Sequence, residues 1–218
     1  MRTVPYAAPA AGWPKEIVVT KLILRTSPAS PFGRKVQIIA ALVGLTDRLE
    51  IIAADTNDPA DVLREQNPLG KIPTLVLSDG TSYYDSRVIV EYLDFLAGGD
   101  VVIPADPAIR FRTLTKAALA DGIADASLLQ IYEERLREPA ARNEKWLANQ
   151  ADKVARGLAA FEGAPPEGRR DVAHVALACA LGYLDLRFHG AWRETRPRLA
   201  HWLAGFAADV PAFAATAS

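Results

Sequence analysis

Residues 67–86 read NPLGKIPTLVLSDGTSYYDS. Ile72 to Leu77 and Ser82 to Tyr84 are strand-like, rich in β-branched and apolar side chains. Asp79-Gly80 between them is a strong hairpin signal, because a tight turn needs residues that tolerate positive φ. Residues 86–97 continue as a helix with Ile89, Tyr92, Leu93 and Leu96 on one apolar stripe. Upstream, residues 17–26, IVVTKLILRT, suit a buried strand. The stretch SPASP, Ser27 to Pro31, breaks that pattern. Ser30-Pro31 reads as an N-cap with proline in the first helical position. Phe32, Val36, Ile39, Ala40 and Val43 then share one helical face, and Gly44 is the expected stop. Residues 48–53 form a second strand, and a helix joining two neighbouring strands makes a right-handed parallel unit the default. Residues 59–66 read as a short helix capped by Asp58. The order β-α-β-α-β-β-α is a small α/β layer closed by a hairpin.

Downstream the pattern changes. Gly98-Gly99-Asp100 ends the layer, and residues 98–106 read as a linker. No convincing strand follows. Helices are expected near 107–137, 141–162, 171–188 and 196–208. The division expected is therefore an irregular extension at 1–16, an α/β domain at 17–97, the linker, and an all-helical domain at 107–218. The fold class is α/β plus all-α.

Composition narrows the chemistry. The chain has 218 residues, with Lys+Arg 25 against Asp+Glu 26. Charge so near balance gives no reason to expect a nucleic acid or an anionic membrane as partner. The single cysteine, Cys179, excludes an internal disulfide, a Cys-x-x-Cys pair and a multi-cysteine zinc site. His174, His189 and His201 are too scattered for a metal centre, so no metal is expected. No apolar run reaches the roughly 20 residues that span a bilayer. Pro5, Pro9 and Pro14 interrupt the first residues, which lack the apolar centre of a secretory signal. The expected compartment is the cytoplasm.

Three junctions in the first half carry functional signals. At Ser30 a helix N-terminus offers free N–H groups and partial positive charge, which favour an anion such as a thiolate. The plain alternative is an ordinary cap. At Ile72-Pro73 a proline opens a strand and cannot donate to the ladder. It fits an edge, or a place where backbone faces a ligand. At Tyr84-Asp85-Ser86-Arg87 the hairpin meets a helix. Ser86 as cap would leave N–H groups free for a carboxylate, and Asp85 suits an ammonium. Together they fit the zwitterionic end of an amino acid. Arg87 opposes the helix dipole. Its readings are a partner for a carboxylate of ligand or neighbouring chain, or a solvated surface arginine.

SPASPFGRKV, NPLGKIPTL and DGTSYYDSRVIVEYLD, in this order and spacing, resemble the N-terminal domain of the cytosolic glutathione S-transferase superfamily. ALACALGYLDLRF at residues 176–188 and the closing VPAFAAT fit its C-terminal domain. The resemblance spans about residues 20–216 and points to a bacterial, serine-type member. It implies a thioredoxin-like domain followed by a helical one, a homodimer, and glutathione as co-substrate. It implies that Pro73 is cis, that the Ile72 backbone pairs with the cysteinyl backbone of glutathione, and that Asp85 and Ser86 hold the γ-glutamyl end. Lys71 matches a polar glutathione contact. Ser30 matches the residue that hydrogen-bonds the sulfur, with Ser27 the second candidate and Phe32 packing beside it. The physical role is pKa tuning. A free thiol with pKa about 8.5 is only a few per cent ionised at pH 7. A shift of about two units, roughly 2.7 kcal/mol, makes thiolate the majority form. Glutathione sulfur, not serine, is then the nucleophile toward a small hydrophobic electrophile. The other readings on the same residues are a glutathione-binding or ligand-carrying protein with little catalysis, and a glutathione-dependent isomerase or dehalogenase.

Other residues are ambiguous. Cys179 is in register with Val172, Val175, Tyr183 and Leu186, which predicts a core residue. The family's capping box is replaced by Asp171 and His174. Asp171 still caps, whereas His174 lacks the carboxylate half and has only a neutral ring nitrogen to offer. Asp121 and Asp125 share a helical face, with a solvated face or a structural hydrogen bond as the plain reading and a place near the glutathione amine as the functional one. Tyr132, Phe188 and Trp192 are candidate walls of the electrophile pocket, or core.

Overall fold

The computed structural model describes residues 21–217. The expected extension, and the first residues of the expected strand at 17–26, lie outside the described residues. Strand β1 (Leu22–Thr26) leads into helix α1 (Pro31–Leu42) and then strand β2 (Leu49–Ala53). A one-turn helix α2 (Leu63–Gln66) precedes strands β3 (Thr74–Leu77) and β4 (Ser82–Tyr83). Helix α3 (Ser86–Leu96) closes the layer. The sheet order is β2-β1-β3-β4, with β1 and β2 parallel and the other pairs antiparallel. This is a thioredoxin-like sheet. Leu22, Leu24 and Leu75 are sealed beneath α1 and α3, which bury Val36, Ile38 and Ile39 and Ile89, Val90 and Leu93.

Register brings the three predicted junctions together. Arg25 pairs with Thr74 and Leu75 pairs with Tyr83. The end of β1, the start of β3 and the end of β4 therefore meet at one end of the sheet. Ser30, Ile72-Pro73 and Asp85-Ser86 all emerge there.

The helix expected at 59–66 is shorter than its sequence suggests. Asp58 caps only a turn, accepting from the Ala60 N–H at 2.8 Å. Asp61 instead takes the N–H groups of Asp55 and Leu63 and the Arg25 guanidinium, each at 2.7–2.8 Å. Those bonds hold the backbone in loops until Leu63.

The second half is helical: α4 (Pro107–Leu136), α5 (Glu144–Gly163), α6 (Val172–Phe188), the short α7 (Trp192–Thr195), α8 (Pro197–Asp209) and α9 (Pro211–Ala215). Every residue of α6 from Val172 to Leu181 is buried. A helix apolar on all sides must sit inside its domain, and α6 does. Cys179 is buried there as expected, and burial pushes its thiol up to about 12, so it stays protonated. The two halves are stitched at Asp94. Its buried carboxylate accepts the N–H groups of Val101, Val102 and Ile103 at 2.7–3.3 Å. Val102 in turn accepts from Val172 N at 2.9 Å, at the start of α6. Among the described residues no helix is long and apolar enough to cross a membrane.

Candidate functional site

Ser30 caps α1 as predicted. Its Oγ accepts the Gly33 N–H at 3.1 Å, and the residue is 8% exposed. A hydroxyl that accepts at a cap keeps its own hydrogen, and that hydrogen has no acceptor among the described residues. Gly33 is what lets the cap sit against the end of β1. A Cβ there would stand 1.8 Å from Thr26 Oγ1. Sequence reading passed over this glycine, because nothing local marks the approach. Ser27 is half-buried, and its carbonyl accepts from Ser30 N at 3.1 Å. Phe32 is half-buried against the core, with Lys35 Nζ 5.8 Å from its ring centre.

At the second junction the Ile72–Pro73 peptide is cis. The loop before it is fastened by two side chains that the sequence reading overlooked. Asn67 Nδ2 donates to Lys71 O at 3.0 Å and to Thr74 Oγ1 at 3.2 Å, and Thr74 Oγ1 donates to Lys71 O at 3.0 Å. Asn67 and Thr74 are almost fully buried. The Ile72 backbone makes no backbone hydrogen bond among the described residues, while Lys71 is exposed.

At the third junction the cap is Asp85, one residue earlier than the expected Ser86. Asp85 Oδ1 accepts the Arg87 N–H at 2.9 Å, and the Tyr84–Asp85 peptide is cis. Ser86 is the first helical residue and is buried. Asp85 is exposed, with its second carboxylate oxygen uncommitted among the described residues.

One expectation is corrected here and one choice is decided. Arg87 is not simply solvated: its Nε donates to Asp121 Oδ2 at 3.1 Å. For Asp121 the structural hydrogen bond, not the solvated face, is the reading that holds. Asp121 is 3% exposed and also pairs with Lys35 Nζ at 2.7 Å, itself 2% exposed. Two charges leave water together only where geometry and partners repay the desolvation. One carboxylate from α4 thus holds both the helix that presents Ser30 and the helix that presents Asp85 and Ser86. Asp125, one turn on, is exposed. Loss of solvent around its carboxyl and the nearby Asp121 raise its pKa, against Arg87, Lys35 and Lys71.

The arrangement offers a hydroxyl donor and helix N-terminus, an uncommitted extended backbone, and an acid beside a second helix N-terminus. It suits an extended peptide with an amino-acid end and an anionic centre. The family description "Glutathione S-transferase, N-terminal domain" matches residues 29–95, and "Glutathione S-transferase, C-terminal domain" matches residues 144–205. An uncharacterised glutathione S-transferase-like protein of Escherichia coli (strain K12), YibF, is 35% identical over 79% of this chain and 87% of its own. The chain belongs to the glutathione S-transferase superfamily. Among solved structures, a glutathione transferase family member from Pseudomonas fluorescens Pf-5 with bound glutathione is 42% identical, with a TM-score of 0.82 over 90% of this chain and 98% of its own. The same family member with bound S-(propanoic acid)-glutathione gives a TM-score of 0.81 at 42% identity over the same shares.

In this superfamily member the helical half clamps α1 on a second side. Arg34 Nε donates to Thr216 Oγ1 at 3.2 Å, and its guanidinium lies 4.0 Å over the Phe213 ring. Gly182 of α6 makes room: a Cβ there would stand 2.5 Å from Arg34 Nη1. Of the candidate pocket walls, Tyr132 is 43% exposed and Phe188 half-buried. Trp192 is not an open wall. It is 7% exposed, and its Nε1 donates to Asp185 at 2.9 Å. His174 completes the capping contact with Asp171, its Nδ1 lying 2.7 Å from Asp171 Oδ1 and 3.4 Å from Asp171 N.

Proposed function

We propose that this protein is a glutathione transferase that presents glutathione as its thiolate to a small, partly apolar electrophile. The observation that carries this reading is the convergence of Ser30, Ile72 and Asp85-Ser86 at one end of the sheet, each with an uncommitted hydrogen-bonding group. Asp85 receives the γ-glutamyl ammonium. The N-terminus of α3 at Ser86 receives the α-carboxylate. The Ile72 backbone pairs with the cysteinyl backbone, and Lys71 meets the glycyl carboxylate. The Ser30 hydroxyl then donates to the sulfur, and the partial charge of α1 adds to it. Both favour the anion and lower its pKa.

In the reaction the thiol proton leaves for solvent and the sulfur lone pair forms a bond to the electrophilic carbon. A halide or similar leaving group departs with its bonding pair. No serine ester forms. The Pseudomonas protein's S-propanoic acid adduct supports a sulfur end with room for a substituent. Residues 17–97 form the glutathione domain in this reading, 98–106 the link, and 107–218 the wall for the second substrate. Leu119, Leu129, Leu136 and Trp146, exposed along α4 and α5, support a homodimer.

The test is an ultraviolet pH titration of the bound glutathione thiolate, followed by turnover of an activated aryl chloride. The expected result is a thiol midpoint well below that of free glutathione, together with turnover. Tight binding with neither would assign the protein to ligand carriage.

A further inference from the structure

The helical half projects beyond the glutathione site. Helix α4 has 30 residues, about 45 Å at 1.5 Å per residue. Arg110 pairs with Glu91 and Asp121 pairs with Arg87, so α4 runs antiparallel to α3. Everything after Asp121 therefore extends past the end of α3 that carries Ser86. Helix α6 runs alongside in the same direction. Thr113 donates to Asp171 at its start, and Tyr132 and Arg135 act electrostatically on Tyr183 near its end.

At about 100° per residue, Asp121, Asp125, Leu128, Tyr132 and Arg135 fall on one face of α4. Facing them on α6 are Tyr183 and Arg187, one turn apart. The Arg187 guanidinium carbon is 5.8 Å from the Tyr183 ring centre, and its Nε is buried without a partner among the described residues. Neither Arg135 nor Arg187 has a carboxylate partner among the described residues, whereas Arg110 and Arg137 of α4 do. Long helical side chains lean toward the helix N-terminus. Both arginines thus lean back from the overhang toward the level of Asp121 and Lys35.

We propose that the second substrate carries a carboxylate beside its apolar body, and that Arg187, assisted by Arg135, receives it. This rests on the transferase reading above. A guanidinium fork matches a carboxylate in two parallel bonds. Leu128 and Phe188 supply apolar surface for the rest. A wholly apolar electrophile would leave the Arg187 guanidinium without a charge partner, which costs free energy. The arginines orient the electrophile while sulfur forms its bond to carbon and the leaving group departs with its pair.

Calorimetry with two glutathione conjugates, S-benzyl and S-(para-carboxybenzyl), tests this without needing turnover. The full chain should bind the acid conjugate about ten-fold or more tighter, the scale of a charge-assisted pair. Arg187→Met should remove most of that preference and Arg187→Lys should restore part of it. Arg135→Met, at an exposed helix position, should lower it a few-fold even if Arg187→Met does not fold. Equal affinities in the unmodified protein, or a preference intact in both methionine variants, would overturn the proposal. A clear acid preference with no transfer to any electrophile would instead remove the transferase reading and leave the carboxylate subsite standing. Failure to bind glutathione would remove both.

Discussion

Among the described residues three helices begin on an aspartate cap, and two of those aspartates, Asp85 and Asp171, do different work. Asp85 caps α3 from an exposed position and spends one oxygen on the Arg87 N–H. Asp171 caps α6 from a half-buried position and spends everything. Its Oδ1 accepts from Ala173 N at 2.9 Å and His174 N at 3.2 Å, and meets His174 Nδ1 at 2.7 Å, while Oδ2 accepts from Thr113 at 3.3 Å. Burial alone would raise the Asp171 carboxyl. The His174 contact and the backbone N–H groups outweigh that and hold it below its ordinary value. The same residue in the same local geometry is a docking point where lone pairs remain free, and a fastening where none do.

The largest effect should come from Asp121, which ties α4 to α1 and α3. Asp121→Ala strands Lys35 as an unpaired buried cation. It should cost about 3–5 kcal/mol in urea denaturation, as breaking a buried pair does. A loss below about 1 kcal/mol would mean that Lys35 finds water, and the clamp on α1 would be discarded.

The caps themselves can be compared with one substitution. Asp171→Asn keeps a capping oxygen but loses charge toward His174, and should cost about 1–2 kcal/mol of stability. Asp85→Asn should leave unfolding nearly unchanged while weakening glutathione about ten-fold, because a charged partner for the ammonium is lost. If both variants lost only stability, Asp85 would be a fastening like Asp171.

Ser30→Ala is expected to raise the midpoint of bound-thiol ionisation by about one unit, about 1.4 kcal/mol, with glutathione affinity largely kept. A pH–rate profile that does not move would take Ser30 out of the sulfur contact and bring Ser27 forward.

The smallest effect is in pH. A carboxyl lowered in the fold contributes stability that is present above its unfolded pKa, about 3.9, and is lost as pH falls through the folded value. The unmodified protein's advantage over Asp171→Asn should therefore be full at neutral pH and shrink in acid below about pH 4. Parallel stability curves down to strong acid would place the aspartate's contribution elsewhere.

Much of the site was readable before the fold. Ser30-Pro31 announces a helix start because both residues favour it locally, and Asp79-Gly80 announces its turn for the same reason. The one-residue shift of the α3 cap was not readable, since Asp85 and Ser86 are both good caps and only the backbone angles choose between them. Asp58 and Asp61 show the same ambiguity, decided by Arg25 reaching Asp61 from β1 at 2.7 Å. Asn67 and Thr74 went unnoticed because their partners are loop carbonyls and each other, not a periodic face.

What the sequence determined by itself was the order of elements and the residues at their junctions. Propensity, periodicity and turn chemistry act over a few residues and need no distant partner. Only tertiary structure decided which charges are free. Lys35, Arg87 and Asp121 look like surface residues along the chain, and their meeting depends on how α4 docks against α1 and α3 across separations of 34 and 86 residues. In water such charges are nearly interchangeable. Once packing removes the water, each must find a counter-charge or remain open for a ligand.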